Sequence, residues 1–415
     1  MSTFSLILAQ LQTTTSQPLP PFFPRGLFPD PSRERRFKRL PTPLGPEKGF
    51  SMASPQPRPG ILDIAPYVGG GSALPGIEAP AKLSSNESPL GPSPQAISTY
   101  REVAEKMFRY PETDSGTLRG ALGRHWALDP GGIVCGNGSD ELLTLLTLAY
   151  AGPGDEVLFA EHSFAVYEIV SRFAGATPVS APEKNLKVDV DALLERVSKK
   201  TRIVFLTNPG NPTGGYIPTS EMDRLHRGLR EDILLVIDSA YAEFVKEDDF
   251  SAGAELVENN KNVVMSRTFS KIYGLAGLRL GWIYAPAEVV DVLNRVRGPF
   301  NVTLPAQAAG IAALADTAYT EKVRLHNEKW RGWITGELEE AGLTIFPSVT
   351  NFILVRFPDA PEHNAAAADA FLKGHGILIR RVENYGLPGY LRISIGTEKE
   401  MRHLSRCLKE FMGSS

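Results

Sequence analysis

The stretch 266–282 reads SRTFSKIYGLAGLRLGW and sets one lysine, Lys271, in near-apolar surroundings. The run 262–265 before it reads as a short buried strand, and Gly274, Gly277 and Gly281 after it suit a tightly turned, close-packed backbone. A desolvated lysine beside another cation, here Arg279, has its pKa pushed down, which makes it an amine nucleophile and a Schiff-base former. Thr268 and Ser270 add hydroxyls, and Arg279 adds a fork of donors suited to a phosphate. The plain alternative is a glycine-rich loop with a salt-bridged lysine, so the rest of the chain has to decide.

Three further groups bear on that decision. Asp238 closes the apolar run 233–237, where an unpaired carboxylate is costly and calls for a cationic partner. A pyridinium nitrogen is one such partner, and Tyr241, three residues on, is placed to reach a neighbouring ring oxygen. Residues 208–215, NPGNPTGG, are dense in turn formers, and Asn211 is held between prolines for hydrogen bonding. At 136–141, GNGSDE, a glycine turn opens the apolar helix 142–149 and aims free N–H groups outward as a phosphate cradle. Ser139 and Asp140 read equally well there as helix N-caps.

The positioning elements follow a β-then-α rhythm. Runs at 133–135, 156–160, 201–207, 233–237 and 262–265 are strand-like, and most precede a helical pattern. Near-continuous apolar strands alternating with helices mean a mainly parallel α/β sheet covered on both faces. In such sheets the chemistry lies beyond the carboxyl ends of the strands, where Ser139, Phe164, Asn211, Asp238, Tyr241, Ser270 and Lys271 all fall. After about residue 305 the chain reads as a smaller α+β lobe, with helices at 306–315 and 319–341 and strands at 350–357, 377–379 and 391–395. Arg392, amid Leu, Ile and Ile in the last strand, faces a pocket, a partner or water.

Composition narrows the function class. The 415 residues are 42% hydrophobic and 22% charged with a formal net charge of −3, which argues against bulk binding to nucleic acid or membrane. Two distant cysteines, Cys135 and Cys407, signal neither a disulfide framework nor a metal site and suit a reducing cytoplasm. No apolar run approaches the length of a membrane span. Residues 1–60, rich in Pro, Ser and Thr with a basic cluster at 32–39, are expected to be a disordered or dispensable extension, with Met52 a candidate start.

Four motifs, Asn211-Pro212-Thr213-Gly214, Asp238-Ser239-Ala240-Tyr241, Ser270-Lys271 with Arg279, and Leu391-Arg392-Ile393-Ser394, occur in the order seen in fold-type I pyridoxal-phosphate (PLP) aminotransferases. Each is modest, and the ordered set is specific. Within that superfamily Ser85-Asn86-Glu87-Ser88-Pro89, Arg109-Tyr110-Pro111, Gly138-Ser139-Asp140-Glu141 and Tyr385-Gly386-Leu387-Pro388 resemble the histidinol-phosphate aminotransferases, over roughly residues 60–412. The resemblance implies a large domain (61–304) with a mainly parallel seven-stranded sheet and a smaller α+β domain (305–415). It implies PLP held covalently by Lys271, with Asp238 on its ring nitrogen, Asn211 and Tyr241 on the ring hydroxyl, and Phe164 stacked on the ring. The phosphate falls to Ser139, Asp140, Thr268, Ser270 and Arg279, and to Tyr110 from a second subunit, hence a homodimer. Tyr67, Asn86, Asn211, Arg380 and Arg392 are the implied substrate-binding set. One departure is Arg381, where the family often has proline; a third cation there bears on the choice of acceptor.

The implied reaction is transamination of L-histidinol phosphate with 2-oxoglutarate to imidazole acetol phosphate and glutamate, a step of histidine biosynthesis. Aromatic amino acid transamination is the close alternative, followed by a threonine-phosphate decarboxylase-like enzyme. A PLP-sensing regulator joined to a DNA-binding module is a reading from another class, and the proline-rich leading segment is unsuited to a helix-turn-helix.

Overall fold

The strands in chain order are β1 Ala81–Lys82, β2 Ile133–Gly136, β3 Glu156–Ala160, β4 Thr177–Ala181, β5 Thr201–Thr207, β6 Leu234–Asp238, β7 Val263–Thr268, β8 Gly281–Tyr284, β9 Thr344–Phe346, β10 Phe352–Arg356, β11 Ile377–Leu378, β12 Arg380–Arg381 and β13 Tyr390–Ser394. They are seen in a computed structural model that describes residues 55–413; nearly all of the expected extension, and Met52, lie outside the described residues. Among the described residues, seven strands form one sheet in the order β2-β8-β7-β6-β5-β3-β4. Only β8 is reversed, antiparallel to both β2 and β7.

The apolar runs account for this sheet. All residues of β6 and β7 are buried, as parallel strands covered on both faces require. Alternate residues feed two cores: Val204, Leu206, Leu235, Ile237 and Met265 on one face, and Ile203, Phe205, Leu234, Val236 and Val264 on the other. The parallel strands β3, β5, β6 and β7 end at one edge of the sheet, so Ala160, Thr207, Asp238 and Thr268 face the same region.

Five strands escape the sequence reading, for physical reasons. β4 is an edge strand holding Pro178, β8 lies inside the glycine-rich stretch, β9 is three residues long, and β1 and β12 are two residues each. Helix Leu304–Ala315, read with the small lobe, packs Ala306, Ala309 and Ala313 into the large-sheet core. A Cβ on Gly310 would meet Leu280 Cδ2 at 2.5 Å, so this contact needs glycine.

A second, antiparallel sheet has the order β12-β13-β10-β9. Its core of Ile353, Val355, Leu391 and Ile393 is closed by helices that contribute Ile334, Leu372, Leu404 and Leu408. The helix Glu398–Met412 opens with a capping box between Thr397 and Glu400. β1 pairs in parallel with β11, and Ser394 N donates to Leu83 O at 2.9 Å, which fastens the segment 83–87 beside β13.

Candidate active site

A cavity of about 320 Å³ opens at the carboxyl ends of the parallel strands. Its lining includes every sequence-predicted site residue except Tyr110. Lys271 follows β7, and its Nζ lies 5.6 Å from the ring centroid of Tyr241. Burial pushes the Lys271 amine down to about 8, with Arg392 the larger cationic neighbour and Arg279 the smaller. The sequence reading assigned that cationic influence to Arg279; the fold brings Arg392, far off in sequence, to the amine.

Asp238 ends β6 with no ion pair among the described residues. Its Oδ2 accepts from the Tyr167 hydroxyl at 2.8 Å, while its buried Oδ1 has no partner among the described residues. Burial raises this carboxyl to about 6, and the Tyr167 bond opposes the rise. A buried oxygen left unpaired is costly, so Oδ1 marks a place for a donor from outside the chain. Tyr241 is held by Asn86, whose Nδ2 donates to its hydroxyl at 2.9 Å, so the tyrosine proton is free for a ligand. Asn86 is itself pinned by Ser394, which accepts from its backbone N–H at 2.7 Å and donates to its Oδ1 at 3.0 Å. Phe164 lines the cavity and meets Tyr167 edge-on at 5.9 Å.

The helix Ser139–Tyr150 begins at the cavity. Its N-cap is Gly138 (φ 85°), with no side-chain cap, which corrects the reading of Ser139 and Asp140 as caps. The first helical N–H groups therefore have no capping side chain and suit an anion. The Asp140 carboxylate instead pairs with Arg279 Nη2 at 3.0 Å. A Cβ on Gly138 would lie 2.5 Å from Arg279 Nη2, and one on Gly281 2.3 Å from Ser139 N, so both glycines keep this cradle open. Ser270 and Thr268 share a 3.0 Å hydroxyl contact beside it.

The opposite end is built by β12 and β13. Arg380 and Arg392 are register partners, so both side chains leave the same face of the sheet. They are only 8% and 6% exposed, and neither has an ion pair among the described residues. Arg380 donates to Val68 O at 2.8 Å and sits over the Tyr67 ring; Arg392 donates to Asn211 Oδ1 and to Ser84 O, and its buried Nε has no partner among the described residues. Like charges directly opposite on a sheet repel. Two buried guanidiniums side by side therefore suit an anionic ligand that bridges them.

Two residues singled out in the sequence, the predicted site residue Tyr110 and the departure Arg381, sit elsewhere. Tyr110 is 81% exposed and stacks on Phe300, at 4.5 Å between centroids. Arg381 alternates to the other face of β12 and pairs with Glu383, so it adds no third cation to the cavity. Residues to which the sequence reading assigned no role are Tyr167, Thr207, Ser84 and Ser394. The one usable signal was the position of Thr207 at a strand end like that of Asp238.

The model for aminotransferase class I and II matches residues 79–408. The histidinol-phosphate aminotransferase of Paramagnetospirillum magneticum is 56% identical over 363 residues, covering 88% of this chain and 100% of that protein. The histidinol-phosphate aminotransferase of Rhodospirillum centenum is 53% identical over 361 residues, covering 87% of this chain and 99% of that protein. Among solved structures, histidinol-phosphate aminotransferase from Sinorhizobium meliloti in complex with pyridoxal-5'-phosphate superimposes with a TM-score of 0.78 at 30% identity, covering 88% of this chain and 99% of that one. The family match spans most of the chain and the fold agrees with it: this chain belongs to the aminotransferase class I and II family.

Proposed function

We propose that this protein is a PLP-dependent aminotransferase that converts L-histidinol phosphate and 2-oxoglutarate to imidazole acetol phosphate and glutamate. The observation that carries the reading is the Arg380–Arg392 pair, buried and with no ion pair to a carboxylate among the described residues, in the cavity that holds Lys271. Arginine forks pair with phosphate and carboxylate alike, so one site serves both half-reactions. The names of the two bacterial relatives point to the same donor.

The residues fit the cofactor. Asp238 Oδ1 lacks a partner that a protonated ring nitrogen would supply, and the Gly138–Gly281 cradle suits a phosphate. Asp238 would hold the ring nitrogen, Asn211 and Tyr241 the ring hydroxyl, and Phe164 the ring face. Ser139, Asp140, Thr268, Ser270 and Arg279 would surround the phosphate. When bound, PLP supplies an electron-withdrawing ring that takes up the charge developed as the substrate's α-proton leaves. Lys271 Nζ, depressed to about 8, is partly a free base near neutral pH and takes and returns that proton.

The proposal includes a homodimer in which Tyr110 reaches the phosphate end of the partner's site. Its support is the exposed apolar group Met107, Phe108 and Tyr110 on one short segment. It also includes a reducing cytoplasmic setting, supported by the buried free thiols Cys135 and Cys407 and by the finding that no described helix is long and apolar enough to cross a membrane. Sedimentation checks the dimer, and a monomer at working concentration would remove it. The donor is decided by single half-reactions. Adding histidinol phosphate, phenylalanine, tyrosine or glutamate separately to PLP-loaded protein is expected to bleach the cofactor band with histidinol phosphate and glutamate. Bleaching by phenylalanine or tyrosine but not histidinol phosphate would replace this reading with an aromatic aminotransferase.

A further inference from the structure

Tyr167 is fully buried on helix Val166–Ala174, and its ring lies flat on Phe205, with centroids 4.4 Å apart and 5° between planes. A hydroxyl so placed requires partners, and it has two. It donates to Asp238 Oδ2 at 2.8 Å and lies 2.7 Å from Thr207 Oγ1. A phenol carries one proton, which goes to Asp238, so Thr207 must be the donor in the second bond. The relay runs one way, from Thr207 through Tyr167 to Asp238. Thr207 and Asp238 are register partners at the ends of β5 and β6, so the sheet fixes both anchors.

We propose that Tyr167 is a positioning residue whose hydroxyl, backed by Thr207, fixes one oxygen of Asp238, keeps that carboxylate ionised and turns its other oxygen to the cofactor's ring nitrogen. This rests on the PLP reading above. The groups facing Asp238 divide as follows: burial and Asp140 favour its protonated form, while Tyr167, the Ala240 backbone and Lys271 favour the ionised form. Tyr241 also faces it, as a neutral phenol. Burial and the neighbouring Asp238 hold the Tyr167 hydroxyl well above its ordinary value, so it remains a donor across the working range. A bond to an ionised acceptor is about twice as strong as a neutral one, and its loss moves a proton onto Asp238 by a factor on the order of ten.

The test uses PLP-loaded full-length protein with the cofactor's ring nitrogen enriched in 15N. Tyr167→Phe keeps the ring on Phe205 and removes only the hydroxyl. Its ring-nitrogen resonance is expected to move toward the unprotonated pyridine value. The acid limb of its kcat profile is expected to rise by about one pH unit, a loss of roughly fivefold at pH 6 that approaches about tenfold at lower pH. Thr207→Val, which strips Tyr167 of its donor, should move the resonance in the same direction by less. A Tyr167→Phe protein whose resonance and acid limb match the wild type, with only its melting temperature lowered, shows a core residue and overturns the inference. If Tyr167→Phe does not fold, Thr207→Val decides: an unmoved resonance overturns the relay. Wild-type protein that takes up no PLP overturns the cofactor reading and this inference together, whereas normal uptake with both variants silent overturns the inference alone.

Discussion

At the helix end of the cavity two cations, Lys271 and Arg279, stand with two carboxylates, Asp140 and Asp238, and Arg279 and Asp140 are in contact. Across the same cavity Arg380 and Arg392 stand together, buried, and share no carboxylate among the described residues. Isolated buried charges are costly, so the first set is stable while its ligand stays bound and the second is complete only when an anion arrives. A cofactor retained through turnover suits the balanced end. A substrate that enters and leaves with its own negative charge suits the unbalanced end.

The comparison breaks most sharply at Lys271. Lys271→Ala is expected to lower turnover by about 10⁴-fold, because both the nucleophile and the proton carrier are lost. Borohydride reduction followed by peptide mapping is the companion measurement. A pyridoxyl group found on another lysine would move the chemistry away from this end. Next in size is Asp238→Asn, which should retain PLP through the phosphate contacts yet lose about 10²- to 10³-fold in kcat. A fall of less than about tenfold, roughly 1.4 kcal/mol, would mean that Oδ1 is not the partner of the ring nitrogen.

At the other end the effects are smaller and should divide by substrate. Losing one partner from a desolvated charged contact costs about 2 kcal/mol at the low end, or roughly 30-fold. Arg392→Lys replaces a fork with a point charge and also loses the hold on Asn211, so kcat/KM should fall by that factor for histidinol phosphate and glutamate alike. Arg380→Ala should fall harder on histidinol phosphate, whose dianionic phosphate carries more charge. Steady-state kinetics on both donors measure the split, and an equal loss on the two would show that the arginines act as one undivided site.

How much of this was legible follows from the residues. Lys271, Asp238 and Ser139 were readable because each follows a buried apolar run, where a polar residue is out of place. Arg392 was readable as an arginine amid apolar neighbours, but its closeness to Lys271 depends on pairing between sheets distant in sequence. Tyr167 was not readable: on an amphipathic helix it looks like core, and its partners lie 40 and 71 residues away. β8 was hidden because its register with β2 and β7, not its composition, makes Gly281–Tyr284 a strand. The turn of Arg381 away from the cavity follows from strand alternation once β12 is known to exist.

The smallest expected effect sharpens the comparison by measuring what the cofactor end costs when empty of its ligand. The Lys271 amine falls from 10.5 in the unfolded chain to about 8 in the folded one, chiefly through burial. Between those values the unfolded chain binds more protons, so Lys271 penalises folding fully below about pH 8, and the penalty is relieved as pH rises toward 10.5. Lys271→Met keeps much of the side-chain volume and removes the charge. Cofactor-free Lys271→Met protein should therefore be more stable than cofactor-free wild type at pH 7, by about 1 to 3 kcal/mol. Chemical denaturation at pH 7 and pH 9.5 checks both size and sign, since the gain should shrink by more than half at the higher pH. A variant no more stable at pH 7, or one whose gain grows with pH, would mean that the amine is solvated and that the chain holds no strained lysine ready for chemistry.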